Sequence, residues 1–366
     1  MSARRPLRRV ASLREPVTSF LASKKITTVA DVLVLNILEL LDLGIAYDEA
    51  THLIDACTKA VAPEPQTVLE MLEERKRFLP TTLPTLDRNL AGGLPIGMIT
   101  EVAGPSGCGK TQFCMMMTSV AAVGVNGHEP GGVLYLDTEG SFSNKRLVAM
   151  ASQRFPVQLA TNEALVDMSK RIQVITTKTS AELLRVLETL DVRIVEMKAR
   201  LVILDSAASL LRKEYQGNQQ ERRDVLAREA TLLKRWAQTY AIPVLVTNQV
   251  TTRFDDNQGG DAFVTAALGN TWAHSVNTRL TVNFAPSDAL RFLSVIKSPL
   301  VASSSIAYRI TDQGLVEDDA PVPAELTRAQ TATAVRIEAR HRTRQQDGSR
   351  GTSAQVHRSV LSAQIN

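Results

Sequence analysis

A glycine-rich segment ending in lysine and threonine is the strongest chemical signal in this chain. Gly104-Pro-Ser-Gly-Cys-Gly-Lys110-Thr111 has the spacing G-x-x-x-x-G-K-[ST] and stands between an apolar run and the helical stretch Gln112–Val123. Glycines let successive backbone N–H groups point at a phosphate, and the following helix adds its positive dipole end. We expect Lys110 to reach the β- and γ-phosphates of ATP and the Thr111 hydroxyl to bind Mg²⁺. The predicted nucleotide-binding residues are Gly104, Pro105, Ser106, Gly107, Cys108, Gly109, Lys110, Thr111 and Gln112.

Two carboxylates that follow other apolar runs could complete a hydrolytic site. Leu201–Asp205 ends in an acid that can hold Mg²⁺ through its water shell. Val133–Asp137 is followed by Glu139, which could polarise water for attack on the γ-phosphate. Because Asp205 is followed by Ser206 and not by Glu, we assign the base to Glu139, with Asp137 as the alternative. A turn or N-cap role for Glu139 is the competing interpretation.

An α/β fold, with a mostly parallel sheet covered by helices on both faces, is needed to bring these residues together. Short apolar, β-branched runs alternate with helical patterns, which is typical of parallel sheets. The predicted parallel strands are Ile99–Ala103, Val133–Asp137, Ile172–Thr176, Leu201–Asp205 and Pro243–Asn248. Three later runs are too close together for crossover helices and are predicted to be antiparallel: Arg279–Phe284, Arg291–Ile296 and Ala307–Ile310.

A helical region precedes this sheet. Residues 12–61 have broadly helical apolar spacing, and Leu43-Gly44-Ile45 interrupts it before Tyr47–Val61. This pattern fits a helix-hairpin-helix unit whose amides can hold a phosphate, and equally a small bundle that only packs. We predict a helical domain over 1–61, a linker over 62–84, the ATPase core over 85–320 and a disordered Arg-rich tail over 321–366, in which 324–341 could form a marginal helix.

Composition excludes several classes of protein. The 366 residues are 44% apolar and 22% charged, which is unlike collagen, a pure coiled coil or a fully disordered chain. No apolar run approaches the roughly 18 residues of a membrane span, so an integral membrane protein is not expected. Cys57, Cys108 and Cys114 form no CxxC pair, which argues against a zinc knuckle or a disulfide framework and favours a reducing compartment.

The positive charge lies at the two ends of the chain. Residues 1–15 carry five Arg and one acid, and residues 321–366 carry seven Arg and three acids, which leaves residues 16–320 with a net charge of −4. A globally basic face for duplex DNA is therefore not predicted, although the ends could attract polyanions. The Arg-rich start also resembles a mitochondrial presequence, but Pro6 would interrupt its helix, and a flexible basic terminus is the simpler interpretation.

Six segments resemble the RecA-type core of the eukaryotic strand-exchange recombinases. They are Gly-Cys-Gly-Lys-Thr-Gln-Phe-Cys-Met-Met-Met (107–117), Tyr-Leu-Asp-Thr-Glu-Gly-Ser-Phe (135–142), Val-Ile-Leu-Asp-Ser-Ala-Ala-Ser (202–209), Val-Thr-Asn-Gln-Val (246–250), Ala-Leu-Gly-Asn-Thr-Trp-Ala-His-Ser-Val-Asn-Thr-Arg-Leu (267–280) and Lys-Ser-Pro-Leu (297–300). The resemblance covers residues from about 10 to 316 and is greatest to the family's B paralogue. It implies a RecA-like P-loop ATPase core behind a small all-helical domain.

The resemblance also implies roles for individual residues. Besides the phosphate, metal and base residues above, Arg146 would stack on adenine, and Gln249 would sense the γ-phosphate at the root of a DNA-binding loop. A simple strand-closing amide is the alternative for Gln249. His274 and the segment around Lys297 would face the nucleotide of the neighbouring subunit. For His274 an interior, hydrogen-bonded histidine is the competing interpretation.

Two DNA loops are implied, at about residues 213–223 and 251–269. The first is flanked or occupied by four basic residues and one aromatic residue, which suits phosphate contact: Arg212, Lys213, Tyr215, Arg222 and Arg223. In the second, Arg253 is the only base against Asp255, Asp256 and Asp261, so we expect weak binding to a phosphate backbone. Solvated loops without a DNA role are the alternative for both.

Two departures from the family pattern bear on assembly. Self-polymerising members carry an aromatic-x-x-Ala hook in the linker, whereas this chain has Pro65-Gln-Thr-Val68, without an aromatic anchor. Lys297 stands where those members have an acid, so it would favour a dedicated partner or supply a cation to a neighbour's γ-phosphate. Homopolymer growth is therefore not favoured.

The resemblance thus implies a nuclear, Mg²⁺-dependent, DNA-stimulated ATPase subunit in a complex with other recombinase paralogues. The C paralogue is its expected direct neighbour, and the complex is expected to assist the strand-exchange recombinase on single-stranded DNA in double-strand-break repair. Two alternatives are a self-polymerising recombinase and a small-molecule kinase. A kinase would need a lid with catalytic arginines, whereas this chain has Gln249 and a predicted flexible loop after it.

Overall fold

The computed structural model describes residues 5–62, 67–69, 78–215, 217–254, 262–266, 268–285 and 289–323. The chain divides into two compact units, Met1–Arg75 and Lys76–Asn366. None of the helices within those described ranges is both long enough and apolar enough to cross a membrane. In the segment that replaces the family's hook, Pro65 and Gln66 lie outside the described residues, and so does the predicted tail from residue 324 onward.

The first unit consists of short helices around a small apolar core. A 3₁₀ turn over Leu7–Arg9 precedes α1 (Glu15–Ser23), α2 (Val29–Leu33), α3 (Ile37–Asp42) and α4 (Tyr47–Val61). Capping boxes start two of these helices, because the side chains of Thr28 and Asn36 accept backbone N–H groups while Asp31 and Glu39 reach back to their caps. The buried core includes Leu21, Val32, Leu40, Leu53 and Cys57.

The second unit alternates strands and helices, as the sequence predicts. In chain order it contains β1 (Phe78–Leu79), α5 (Pro84–Asn89), β2 (Leu94–Pro95), β3 (Ile99–Gly104), α6 (Lys110–Val123), β4 (Gly132–Asp137), α7 (Asn144–Arg154), α8 (Asn162–Lys170), β5 (Ile172–Thr176), α9 (Ser180–Glu188), α10 (Leu190–Glu196), β6 (Ala199–Asp205), α11 (Ser209–Glu214), α12 (Gln219–Tyr240), β7 (Val244–Phe254), β8 (Ala262–Ala266), α13 (Gly269–Ser275), β9 (Thr278–Phe284), β10 (Arg291–Lys297), β11 (Ser304–Thr311) and β12 (Gly314–Asp318).

The main sheet has the strand order β12-β11-β10-β9-β3-β7-β6-β4-β5. Strands β3 to β7 and the β3–β9 pair are parallel, whereas β9 to β12 pair antiparallel, as predicted for the three later runs. Parallel register places Gly104 beside Gln249 and Asp137 beside Asp205. The predicted chemical residues therefore end neighbouring strands at one edge of the sheet, where ligands of such folds bind.

Each face of the sheet supports its own apolar layer. Val133 and Tyr135 of β4 lie in a layer with α6, α7 and α8, whereas Leu134 and Leu136 lie in a second layer with α9 to α13. Side chains alternate between the faces of a strand. Because both faces are covered, the strands read as continuous apolar runs.

Three features differ from the sequence prediction. The predicted loop over 251–269 contains strand structure, since β7 continues to Phe254 and pairs antiparallel with β8; residues 255–261 lie outside the described part. The sequences of β7 and β8 are rich in β-branched and aromatic residues and are separated by turn-forming residues. This pattern is a sequence signal for a hairpin. The predicted flexible loop after Gln249 is one of the arguments against a small-molecule kinase. The β7–β8 pair removes that argument.

The predicted first DNA loop is also shorter than residues 213–223. Lys213 lies in the last turn of α11, and α12 already begins at Gln219. Asn218 caps α12 by accepting the backbone N–H of Glu221, and this capping pattern stops the loop early. The third difference is β12, because the sequence prediction ended the apolar pattern at Val316 without assigning a strand.

Candidate nucleotide-binding site

The phosphate-binding loop joins β3 to α6 at the carboxyl edge of the sheet. Gly109, the residue before the helix, has a φ of +91°, which glycine adopts without strain. At Gly104 an added Cβ atom would lie 2.3 Å from the backbone oxygen of Val282, so neighbouring β9 leaves room only for glycine. The Tyr308 hydroxyl donates over 2.6 Å to the carbonyl of Cys108. Strands β9 and β11 therefore fix the shape of the loop.

Helix α6 anchors the loop because it lies almost wholly inside the core. Its two buried hydroxyls are satisfied within the helix: Thr118 donates to the Cys114 carbonyl over 2.9 Å, and Ser119 to the Met116 carbonyl over 2.7 Å. A buried helix of this kind holds its N-terminal N–H groups in a fixed direction. That rigidity suits binding of an anion at the N-terminus.

Lys110 lies inside the loop with its ammonium group directed at the loop's own carbonyls. Its Nζ donates to the backbone oxygens of Gly104 over 2.9 Å and Pro105 over 2.8 Å. Burial lowers the pKa of Lys110, while the nearby carboxylates of Asp205 and Glu139 act in the opposite direction. A cation held in this partly dehydrated position would interact strongly with a phosphate.

The carboxylate of Asp205, at the end of β6, is buried, and its donors among the described residues are all hydroxyl groups. Thr111 donates to its Oδ2 over 2.8 Å and Tyr135 donates to the same oxygen over 2.7 Å. Thr247 of β7 donates to Oδ1. Burial is the main cause that raises the pKa of Tyr135, so its hydroxyl remains a donor at neutral pH. The three hydroxyls orient the carboxylate without neutralising its charge.

Thr111 and Asp205 form a donor set that suits Mg²⁺. This ion prefers oxygen ligands and is commonly held by one or two protein groups, water and phosphate oxygens. The described part of the chain contains no group of three or more His, Cys, Asp or Glu side chains that could hold a metal ion. The residues present therefore fit an ion that arrives with a nucleotide.

Glu139 and Gln249 lie side by side at the same edge. The Gln249 amide Nε2 donates to Glu139 Oε1 over 3.1 Å, and the Ser206 hydroxyl donates to the same oxygen over 2.6 Å. Glu139 follows β4 and Ser206 follows β6, while Gln249 lies in β7 where its parallel pairing with β3 ends. A carboxylate beside an amide at this position can hold a water molecule and sense a terminal phosphate.

Asp137 stabilises the turn after β4, whereas the sequence left open a role for it as the hydrolytic base. Its Oδ1 accepts backbone N–H groups from Glu139, Gly140 and Ser141 at 2.8 to 3.2 Å, and its Oδ2 accepts that of Phe142 at 3.1 Å. Both carboxylate oxygens are therefore occupied by backbone donors. Asp137 thus shapes the turn that carries Glu139, so the alternative assignment of the base to Asp137 is disfavoured.

Arg146 lies on α7, next to the start of α6. Its Nε donates to Gln112 Oε1 over 2.8 Å, and its two terminal nitrogens donate to the backbone oxygens of Thr311 and Asp312. The guanidinium is therefore fixed between α6 and the β11–β12 turn. The predicted stacking of Arg146 on adenine stays a prediction.

The residues predicted to contact DNA occupy different environments. Lys213 and Arg223 are exposed, and Arg222 is half-buried. The Tyr215 hydroxyl lies 3.1 Å from Ser180 Oγ. The backbone of Arg253 lies in β7, while its side chain is outside the described part of the structure.

Arg212 is directed at the nucleotide site and not at solvent. Its two terminal nitrogens donate to Gln249, one to the side-chain Oε1 over 2.9 Å and the other to the backbone oxygen over 2.6 Å. The expectation that Arg212 simply offers its charge to a DNA phosphate is therefore incomplete. Its guanidinium connects α11 with the end of the parallel part of β7.

The two predicted inter-subunit residues are linked through α13. His274 is exposed on this helix, so the interior interpretation of this histidine is wrong. The Lys297 ammonium donates to the carbonyls of Ala273 and Val276 over 2.7 and 2.5 Å. A cation at a helix C-terminus stabilises the helix. Their role at a subunit boundary stays a prediction.

The sequence interpretation assigned no role to several site residues. Tyr135, Thr138, Ser206 and Thr247 all make hydrogen bonds that connect the strand ends. Tyr135 and Thr247 are polar groups inside otherwise apolar strands, which is a signal that sequence inspection could have used. Ser206 and Thr138 carry no such signal, because polar residues commonly follow strands.

Comparison with known proteins identifies the family. The Rad51 family model matches residues 75–319, and the XRCC3/RpoA-like helix-hairpin-helix domain matches residues 7–61. The chain is 40% identical over 340 residues to DNA repair protein RAD51 homolog 2 of Homo sapiens, covering 85% of this chain and 88% of that protein. It is 31% identical over 306 residues to DNA repair protein RAD51 homolog 3 of Cricetulus griseus, covering 77% and 80%.

The crystal structure of the RadB recombinase is similar with a TM-score of 0.55 and 26% identity, covering 66% of this chain and all of that one. The predicted RecA-like fold, the helical N-terminal domain and the resemblance to the recombinases and their B paralogue, RAD51 homolog 2, are thereby confirmed. A phosphate loop in such a fold marks a P-loop ATPase that binds a nucleotide. This chain belongs to the Rad51 family.

Proposed function

We propose that this chain is a slow, Mg²⁺-dependent and DNA-stimulated ATPase subunit of a complex of recombinase paralogues. The observation that carries the proposal is the meeting of Glu139 with Gln249 over 3.1 Å at the edge where Thr111 donates to Asp205. A base and an amide sensor lie at the same strand ends as the metal-binding pair. The groups that hydrolysis requires are therefore present beside the groups that bind the nucleotide.

The residues divide the work of hydrolysis. The loop amides and Lys110 bind the phosphates of ATP, and Glu139 accepts a proton from the attacking water. Gln249 orients that water or the γ-phosphate. Bound Mg²⁺, held by Thr111 and through water by Asp205, would supply charge stabilisation. Arg146 is proposed to cover the adenine.

The similarity to two DNA repair proteins supports a role in DNA repair. We assign the complex to the nucleus, where it promotes recombinase filament assembly on single-stranded DNA during homologous-recombination repair of double-strand breaks. The proposed partners are the strand-exchange recombinase and other paralogues, with the C paralogue as direct neighbour. Exposed His274 and Lys297 support a contact at that boundary. Lys213, Arg222, Arg223 and Arg253 are the proposed DNA-contacting bases.

The site is tested by two substitutions. Lys110→Ala should abolish ATP binding, because it removes the cation that reaches the phosphates. Glu139→Gln should retain ATP binding but reduce turnover by about 100-fold, since general base catalysis contributes at least that much. Nucleotide binding by calorimetry and phosphate release measure the two effects. Glu196→Gln, an exposed change on α10, is the matched control. Unchanged turnover in Glu139→Gln would show that the base is wrongly assigned.

Assembly is tested with the purified C paralogue. We expect capture of the C paralogue by this chain, with a stronger yield in the presence of ATP. A self-polymerising recombinase would instead form large species by itself when ATP and single-stranded DNA are added, which size-exclusion chromatography detects. A kinase would show no increase in ATP turnover on addition of single-stranded DNA.

A further inference from the structure

Arg212 makes a two-point contact with Gln249 that the nucleotide chemistry does not require. One terminal nitrogen donates to the amide oxygen and the other to the backbone oxygen of the same residue, at 2.9 and 2.6 Å. The planar guanidinium presents two N–H groups in a fixed fork that matches two acceptors, whereas a lysine ammonium has no such fixed geometry. Both the side chain and the backbone of Gln249 are therefore held in one position.

This position directs the side-chain amide of Gln249 toward Glu139, the proposed base. With Oε1 occupied by Arg212, the amide Nε2 points at Glu139 Oε1, which also accepts the Ser206 hydroxyl. Two donors thus occupy one oxygen of the proposed base, which must turn from them before it can accept a bond from the attacking water. The bond to Glu139 occupies one of the two amide N–H groups of Gln249 and holds the amide toward the base and not toward a γ-phosphate. This arrangement opposes hydrolysis.

The surroundings of Arg212 connect this contact to DNA. Arg212 is half-buried on α11, directly before the exposed Lys213 and close to the proposed DNA-contacting segment. Burial and the charge of Arg222 lower the pKa of Arg212, whereas Glu139 acts in the opposite direction. The guanidinium thus lies in the electric field of both the base and a second arginine. A phosphate anion approaching this segment would compete for it.

We propose that Arg212 is a positioning residue that restrains Gln249 and Glu139 in a weakly hydrolytic arrangement, and that a DNA phosphate releases them by binding Arg212. The inference rests on the proposed function. It goes further by naming the group through which DNA would act on the base. Arg212 acts through Gln249, with which it makes both contacts.

The test compares two substitutions at Arg212. Arg212→Lys keeps the positive charge for DNA but loses the two-point contact, whereas Arg212→Gln loses both. Both variants should raise the kcat of ATP hydrolysis without DNA by about fivefold, the equivalent of one net hydrogen bond. The KM for ATP should stay near the wild-type value, and stimulation by single-stranded DNA should fall toward unity. Arg212→Lys should keep more affinity for single-stranded DNA than Arg212→Gln.

A double substitution separates positioning from a general structural effect. If Arg212 acts through Gln249, Arg212→Lys should not raise the DNA-free rate in a Gln249→Ala background. Arg193→Gln, which removes an exposed guanidinium from α10 at the opposite edge of the sheet, is the control. A DNA-free rate that is unchanged or lower in both Arg212 variants overturns the inference, and so does an equal increase in the Gln249→Ala background.

Failure of the inference can be told from failure of the proposed function. If single-stranded DNA stimulates ATP turnover by the wild type and Lys110→Ala abolishes that turnover, the proposed function stands. The Arg212 variants then test the inference alone. If Lys110→Ala hydrolyses ATP like the wild type, the proposed site is wrong and the inference falls with it.

Discussion

Two buried carboxylates of the main sheet differ in the partners that surround them. Asp205, 2% exposed, receives hydroxyl groups from Thr111, Tyr135 and Thr247. Glu101, 0% exposed and located in β3, is paired with a cation and with two uncharged N–H donors. Its partners are Arg279, Trp272 at 2.8 Å and Asn248 at 2.7 Å.

The difference shows which carboxylate is available for chemistry. Arg279 neutralises Glu101, so this cluster holds β3, β7, β9 and α13 together with little net charge. Asp205 keeps its charge, because hydroxyls orient a carboxylate without cancelling it, and that charge can attract a metal ion. Burial alone therefore does not distinguish a functional acid from a structural one, whereas the charge of the partners does.

Glu229 of α12 is a third buried carboxylate and extends the comparison. Neither of its oxygens has a hydrogen-bond partner among the described residues. Burial, assisted by the charge of Glu214, raises its pKa to about 8. Without hydroxyls or a cation, this group is expected to remain protonated at neutral pH. It is neither a structural ion pair nor a metal-directed charge.

The largest expected effect is the loss of stability on breaking the Glu101 cluster. Glu101→Gln leaves Arg279 charged and unpaired, which should lower the free energy of unfolding by about 3 to 5 kcal/mol. Chemical denaturation measures this loss. The double variant Glu101→Gln/Arg279→Met should recover part of the loss, because no buried charge remains. A loss below about 1 kcal/mol in the single variant would contradict a buried ion pair.

The next effect should appear in metal binding and not in folding. Asp205→Asn removes the charge with almost no change of shape, so the apparent affinity for Mg²⁺ in ATP hydrolysis should fall about 10- to 100-fold. The midpoint of chemical denaturation should change little. Magnesium titrations of phosphate release give the first quantity. If Asp205→Asn unfolds as readily as Glu101→Gln and keeps the Mg²⁺ dependence of the wild type, Asp205 is the structural carboxylate and not the one that attracts the metal ion.

Replacing Glu229 should change the free energy of unfolding in a pH-dependent way, with a small effect for each pH unit. The folded-state pKa is raised, so the stability contributed by the protonated form is present below about pH 4.5 and is lost as pH rises through about 8. Glu229→Gln stays neutral, so its stability relative to wild type should grow by about 1 kcal/mol per pH unit between these values. Denaturation at pH 5, 6, 7 and 8 measures this slope. Parallel curves would mean that Glu229 ionises normally.

The sequence predicted the strands that carry the candidate site residues, but not the extent of the loops around them. The phosphate loop and Glu139 follow apolar strands, Asp205 ends one and Gln249 lies where parallel pairing ends, so parallel strands bring these groups to one edge. The predicted loops over 213–223 and 251–269 are longer than the observed ones, because Asn218 caps a helix within the first and the β7–β8 pair occupies part of the second. Local turn chemistry would have corrected both.

The contacts between strand ends were beyond sequence reasoning. That Arg212 points at Gln249, that Asp137 shapes the Glu139 turn and that His274 is exposed depend on side-chain directions that spacing does not encode. The sequence by itself determined which chemical groups end which strands, because local patterns specify strands and phosphate loops. Only the tertiary structure decided which donors surround each carboxylate, because strands distant in the chain become neighbours only when the sheet forms.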